Sequence, residues 1–286
     1  MHTILTTMTN ITDENEGNLL RRSLTRFVDA RERGYIQDIV AVDSTEGNYR
    51  DEFREFLSSR GIRYWPAREK GPGAQQREAY QYAHDLGAGC TLYTHADKEG
   101  LATEEMLNLW KTPLINNEAD VVAVEGDLET STKPLPSFTK EIYLVASTSF
   151  NLIPLALKVS YSRDTARSDP LDVWFGSFGF QRSSDHLFTR TYYDEILFKD
   201  TSENATRKVN DWGHTWLALT QAFIDGKKVR GVTAKGFRWG EAVDQKEEET
   251  DESMNYRLAQ FDQIINPCFR LLRKSLQERI HAGVVK

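Results

Sequence analysis

Three short polar clusters, each directly after an apolar run, hold the side chains of this sequence best suited to chemistry: Thr9-Asn10, Asp43, and His95-Ala96-Asp97. A carboxylate that closes a buried strand is costly to bury unless it meets hydrogen-bond donors or a cation. Asp43 therefore suits a nucleotide base or ribose as partner, and it suits equally a helix N-cap or turn. Asp97, last of its tripeptide, can offer a carboxylate to Mg²⁺ or Mn²⁺, which needs only one or two protein carboxylates when phosphates and water complete its shell. Such an ion would stabilise a departing diphosphate as a Lewis acid. The competing reading of Asp97 is a solvated strand-end turn. His95 is a further ligand or ribose contact, and Glu99 lies near enough to assist. Gly71-Pro72-Gly73-Ala74 opens a helix whose free N–H groups suit an anion, with Lys70 before it and Arg77 inside it. An ordinary turn is the alternative there.

These clusters need a scaffold, and the first half of the chain supplies its pattern. Short apolar runs alternate with longer amphipathic ones, as expected of strands and helices built around a mainly parallel sheet. Strands are expected at 3–8, 38–43, 62–65, 90–94 and 120–125, and helices at 19–33, 49–60, 74–86 and 104–110. The second half is less regular. It suggests a helix over 137–157 broken near Pro154, a strand over 174–181, an amphipathic helix over 211–224 and a strand over 228–233. The acidic run at 247–252 reads as a solvated loop. One or two helices follow over 253–281, with Pro267 a break.

Hydrophobic residues make up 39% of the 286 and charged residues 28%, which excludes a disordered chain. The net charge of −7, with Lys and Arg scattered, argues against a nucleic-acid partner. No window approaches the roughly 20 apolar residues of a membrane helix, and Met1 to Asn10 lacks the pattern of a secretory signal. A cytoplasmic protein is the expectation. Cys90 and Cys268 form no metal-type spacing and read as buried free thiols.

The stretches VAVDSTEG, GPGAQQREAY and LYTHADKEG stand in an order and spacing that resembles the nucleotide-binding half of GT-A glycosyltransferases, the large family of bacterial polysaccharide and small-molecule transferases. In that family an Asp ending the second strand holds the base, a helix opens with G-P-G-A-A-R-N, and the fourth strand ends in D-x-D. GSFGFQR (176–182) is similar to the family's acceptor-site strand, and DWGH (211–214) to the helix start that carries the base of inverting members. DWGH and KGFRWG (235–240) also look similar to parts of mannosylglycerate synthases, retaining enzymes of the same fold. The sequence departs from the pattern at His95, where the family has an acid, and at Gln75 and Gln76.

The resemblance implies an α/β fold of GT-A type, a Rossmann-like mainly parallel sheet flanked by helices, with a C-terminal helical extension. It implies a transferase domain over 1–245, split into a nucleotide-sugar half (1–125) and an acceptor half (126–245), then an acidic loop and helical extension over 246–286. The implied activity is metal-assisted hexosyl transfer from a UDP- or GDP-sugar to a small-molecule or glycan acceptor. Donor contacts would come from Thr9, Asn10, Asp43, Gly73, Gln76, Arg77, His95 and Ala96. Asp97 and His214 would hold Mn²⁺ or Mg²⁺, Arg182, Trp212 and Trp239 would meet the acceptor, and Asp211 would be the catalytic base. Arg238 is a second candidate for the diphosphate, and a homodimer is compatible with this layout. Two alternatives stay open. One is a degenerate domain that binds nucleotide-sugars or acts as a scaffold. The other is a sugar-nucleotide pyrophosphorylase, against which the acidic stretch TNITDENEG after the first strand counts, since that class needs a basic Gly-rich loop there.

Overall fold

The computed structural model describes residues 1–127, 145, 149, 152–157, 161–163, 173–181, 216–234 and 250–283. Its strands are β1 (Thr3–Thr9), β2 (Asp38–Asp43), β3 (Arg63–Pro66), β4 (Cys90–His95), β5 (Val121–Asp127), β6 (Tyr161–Arg163), β7 (Val173–Gln181) and β8 (Val229–Ala234). The helices are α1 (Glu14–Glu32), α2 (Tyr49–Ser59), α3 (Pro72–Asp85), α4 (Glu104–Ile115), α5 (Leu217–Ile224) and α6 (Asp251–His281), with a 3₁₀ turn at Glu99–Ala102.

The strands form one sheet in the order β3-β2-β1-β4-β7-β5-β8-β6. All run the same way except β7, which pairs antiparallel with both β4 and β5. Strands covered by helices on both faces read as continuous apolar runs, which is why DIVAVD alternates so little. Successive side chains still face opposite ways. Leu5, Ile39, Ala41, Leu92 and Val122 pack with α1, α2 and α4, while Ile4, Val40, Val42, Tyr93 and Ala123 pack with α3, α5 and α6. At Gly179 of β7 a Cβ would lie 2.8 Å from both Leu114 Cδ1 and Trp110 Nε1, so α4 approaches the sheet through the missing side chain.

Several elements differ from the sequence-based expectation. Helix α1 starts at Glu14 rather than Leu19, because Asp13 caps it by accepting from the Glu16 amide at 2.9 Å and Glu16 accepts back from the Thr12 amide. The acidic stretch after β1 is therefore a helix start. Helix α4 continues through Pro113 to Ile115. Leu217 to Phe223 of α5 are all buried, so its described part is not amphipathic: it is enclosed between the sheet and α6.

Helix α6 is one unbroken helix with Pro267 inside it, and Asp251 and Glu252 form its first turn instead of a loop. The backbone bond lost at Pro267 is offset by burial of Ile264, Ile265, Cys268, Leu271 and Leu272 on either side of it. Two carboxylates at the helix N-terminus also complement its dipole. Residues 152–157 are helical with Pro154 among them, and the expected helix otherwise lies outside the described residues except at 145 and 149. Cys90 and Cys268 are buried free thiols, as expected.

Candidate active site

The chain passes from β1 to β2 and β3 on one side, then returns to place β4 on the other side of β1. Strand order thus reverses between β1 and β4. In open α/β sheets the crevice outside the carboxyl ends of strands at such a point is where ligands bind. In register, Thr9 stands beside Asp43 and Met8 beside His95, so all three polar clusters close neighbouring strands at one rim.

Asp43 is 3% exposed. Its Oδ1 accepts from the Thr9 hydroxyl at 2.8 Å and the Thr45 hydroxyl at 2.7 Å, with the Thr45 amide at 3.3 Å. Its Oδ2 is buried and has no hydrogen-bond partner among the described residues. Burial pushes the Asp43 carboxyl above its ordinary range, against the hydroxyl and amide bonds and the more distant Arg50. Thr45 also accepts from the Ile11 amide at 2.9 Å, which ties the loop after β1 to the loop after β2. Neither the N-cap reading nor simple exposure describes Asp43: α2 begins at Tyr49 with Asn48 before it.

Helix α3 begins over the same rim. Gly71 precedes it with φ 109°, a backbone favouring glycine, and no side chain caps the helix. Gln75 Nε2 donates to the carbonyls of Thr9 and Val42, both at 3.0 Å, and so pins the helix start to the ends of β1 and β2. Gln76 is buried and donates to the Tyr80 hydroxyl at 2.8 Å. Arg77 is buried near Glu69, at 3.6 Å. Gly73 is buried at the start of the helix, and Asn10 is exposed beside buried Thr9.

At the end of β4, Ala96 is buried and His95 is partly buried with its ring 5.9 Å from that of Tyr93. Desolvation lowers the His95 imidazole to about 4, outweighing the attraction of Asp97 and helped by the Lys98 charge. Asp97 Oδ2 takes a hydrogen bond from Lys98 Nζ at 2.7 Å, and the Lys98 side chain is only 2% exposed. Burial would raise the Asp97 carboxyl, but the charge of Lys98, then that of His95, and the direct hydrogen bond hold it below its ordinary value.

Such a donor set does not fit a divalent ion. It offers an imidazole with a depressed pKa and one carboxylate already neutralised by an ammonium, where an ion of this kind prefers carboxylate oxygens left open. Among the described residues no three His, Cys, Asp or Glu side chains gather as a metal cage. A groove of about 250 Å³ bordered by Arg26, Arg33, Tyr35 and Glu104 takes in none of the rim residues.

The structure thus brings together Thr9, Asn10, Asp43, Gly73, Gln76, Arg77, His95, Ala96 and Asp97. Arg182, Asp211, Trp212, His214, Arg238 and Trp239 lie outside the described residues. Thr45 and Lys98 were not singled out from sequence, and Gln75 counted only as a departure from a motif. The signal for Thr45 was its place two residues after Asp43, the spacing of a side-chain-bonded turn. Lys98 carried no local signal.

A mainly parallel sheet with one reversed strand, covered by helices on both faces and closed by a long C-terminal helix, is the GT-A fold of nucleotide-sugar transferases. Among solved structures the chain is similar to glucosyl-3-phosphoglycerate synthase from Mycobacterium tuberculosis in complex with phosphoglyceric acid. The identity is 11%, over 94% of this chain and 80% of that one, with a TM-score of 0.53. The complex of the same enzyme with Mn²⁺, UDP and glucosyl-3-phosphoglycerate matches at 10% identity over the same shares, with a TM-score of 0.52. At these identities the likeness is one of fold. No family model and no curated protein matches the sequence. Among the described residues no helix is long and apolar enough to cross a membrane.

Proposed function

We propose that the chain is a glycosyltransferase that moves a hexose from a UDP- or GDP-sugar to a small-molecule or glycan acceptor. The observation that carries this reading is Asp43: a buried carboxylate at the switch-point rim with one oxygen saturated by hydroxyls and the other unpartnered. A buried acceptor left unmade costs on the order of 1–3 kcal/mol, so a ligand that supplies a donor recovers it. Uracil and guanine each offer a ring N–H on the edge such an oxygen would meet; adenine and cytosine do not. Asp43 and the β4 end stand two strand positions apart, about 10 Å, a span suited to a base at one and a diphosphate at the other. The uncapped start of α3 faces the same rim and suits the diphosphate.

In this reading Asn10 lines the base pocket, Thr9 and Thr45 aim Asp43, and Gln75 fixes the helix start against both strands. Gln76 and Arg77 support α3 beneath the phosphates. Residues 1–125 form the donor half and 126–245 the acceptor half, where Asp211 takes the acceptor hydroxyl's proton in an inverting transfer. Arg182, Trp212 and Trp239 would hold the acceptor, and 246–286 is an extension. The scaffold and pyrophosphorylase alternatives have no observation in their favour: the stretch after β1 is an acid-capped helix start.

Calorimetric titration of the purified chain with UDP, GDP, CDP and ADP tests the reading. UDP or GDP should bind at least about tenfold more tightly than CDP and ADP, and Asp43→Ala should abolish that preference, a factor equal to about 1.4 kcal/mol. Equal binding of all four would remove the base-reading role of Asp43.

A further inference from the structure

The pair at the end of β4 has a consequence for the donor's phosphates. A metal-clamping rim keeps its carboxylates open and negative, so that a divalent ion can bridge them to a diphosphate. Here the position of the first acid is an imidazole, and the one remaining carboxylate is held at 2.7 Å by an ammonium that is 2% exposed. A divalent ion at Asp97 would have to break this bond and leave Lys98 as a buried, unpaired cation beside it. Leaving one member of a buried pair alone is strongly unfavourable. The site is therefore furnished with its own positive charge, fixed in place by the fold rather than drawn from solution.

We propose that Lys98 stands in for the divalent ion at this rim, so that binding of the donor's diphosphate does not depend on a metal. The inference rests on the nucleotide-sugar reading of the site, and it adds a residue and a cation requirement to that reading. An ammonium paired with Asp97 beside the strand end supplies a preorganised charge next to the phosphates, the kind of fixed electrostatics that also favours departure of a diphosphate. Asp97 then serves as a positioning residue: it holds the Lys98 side chain and has no bond to substrate.

UDP and GDP binding to the whole chain, measured calorimetrically in excess EDTA and again in Mn²⁺, tests this directly. The proposal expects wild-type affinity to agree within about twofold between the two conditions, whereas Lys98→Met should bind about tenfold more weakly in EDTA and recover in Mn²⁺ through the freed carboxylate. Titration of Mn²⁺ followed by its paramagnetic resonance, without nucleotide, should show tighter ion binding by Lys98→Met than by wild type. Should Lys98→Met fail to fold, the neutral pair Asp97→Asn/Lys98→Met takes its place, with weakened nucleotide binding that Mn²⁺ does not restore. A wild-type affinity that collapses in EDTA overturns the proposal while leaving the nucleotide-sugar reading intact, and so does a Lys98→Met protein that binds UDP as wild type does in EDTA. Absence of UDP and GDP binding under both conditions overturns the nucleotide-sugar reading, and the role of Lys98 with it.

Discussion

Two aspartates close neighbouring regions of the same rim, and their surroundings treat them in opposite ways. Asp43, at the end of β2, is met by two hydroxyls and an amide, all on one oxygen, and burial raises its carboxyl. Asp97, past the end of β4, is met by a buried ammonium, and its carboxyl is lowered in spite of burial. Neutral donors orient a carboxylate without cancelling its charge, while an ion pair cancels the charge and uses up the oxygen. Asp43 is left poised for a ligand's N–H. Asp97 has already found its partner.

The largest expected effect comes from breaking the ion pair. Asp97→Asn or Lys98→Met alone should each cost about 3 kcal/mol, because either leaves the other partner buried without its counter-charge, whereas the double neutral variant should cost far less. Chemical denaturation of the four proteins in a double-mutant cycle measures this. Additive losses would show that the two charges act independently and would dissolve the contrast between the two rims.

A smaller loss is expected at the other rim. Thr45→Val removes the 2.7 Å hydroxyl bond to Asp43 and the acceptor for the Ile11 amide, and should cost about 1–2 kcal/mol with a weaker grip on UDP. The same denaturation measurement, paired with UDP titration, separates the two effects.

The smallest change should carry the opposite sign. Asp43 has a raised carboxyl in the folded chain, so the folded state holds its proton to higher pH than the unfolded chain does. Its ionisation therefore subtracts stability as pH rises through the carboxylate range. Asp43→Asn should melt a few degrees above wild type at pH 7, with the difference vanishing at pH values low enough to protonate the carboxyl in both states. For Asp97, lowered in the folded chain, the stabilisation is present above the unfolded carboxylate value and lost as pH falls through the folded one. Melting curves of Asp43→Asn and Asp97→Asn against pH should consequently diverge from wild type in opposite directions, and parallel shifts would refute the assigned causes.

How far the rim could be read from sequence depends on the range of the contacts involved. Asp43 announced itself because a polar residue ending DIVAVD is a local anomaly, and the three clusters each follow a recognisable apolar run. The five strands expected in the first half all form, with ends shifted by one or two residues, since period and turn residues specify them locally. Helix starts were less legible: Asp13 caps α1 through a bond three residues on, ahead of the apolar stripe that marked the helix in sequence. The unbroken run of α6 across Pro267 was hidden for the opposite reason, because packing from distant elements overrides a local breaker.

Sequence alone therefore determined which side chains end the strands and which kinds of ligand they suit, because strand period, turn residues and the placement of an isolated polar residue are encoded within a few positions. The tertiary structure decided that strand order reverses between β1 and β4, that Gln75 bridges the ends of two strands, and that β7 runs backwards between β4 and β5. It also decided the fate of Lys98. An ammonium next to a carboxylate in sequence is most often a solvated neighbour; only the covering of both by the fold removes the water that would screen them and turns adjacency into a buried ion pair.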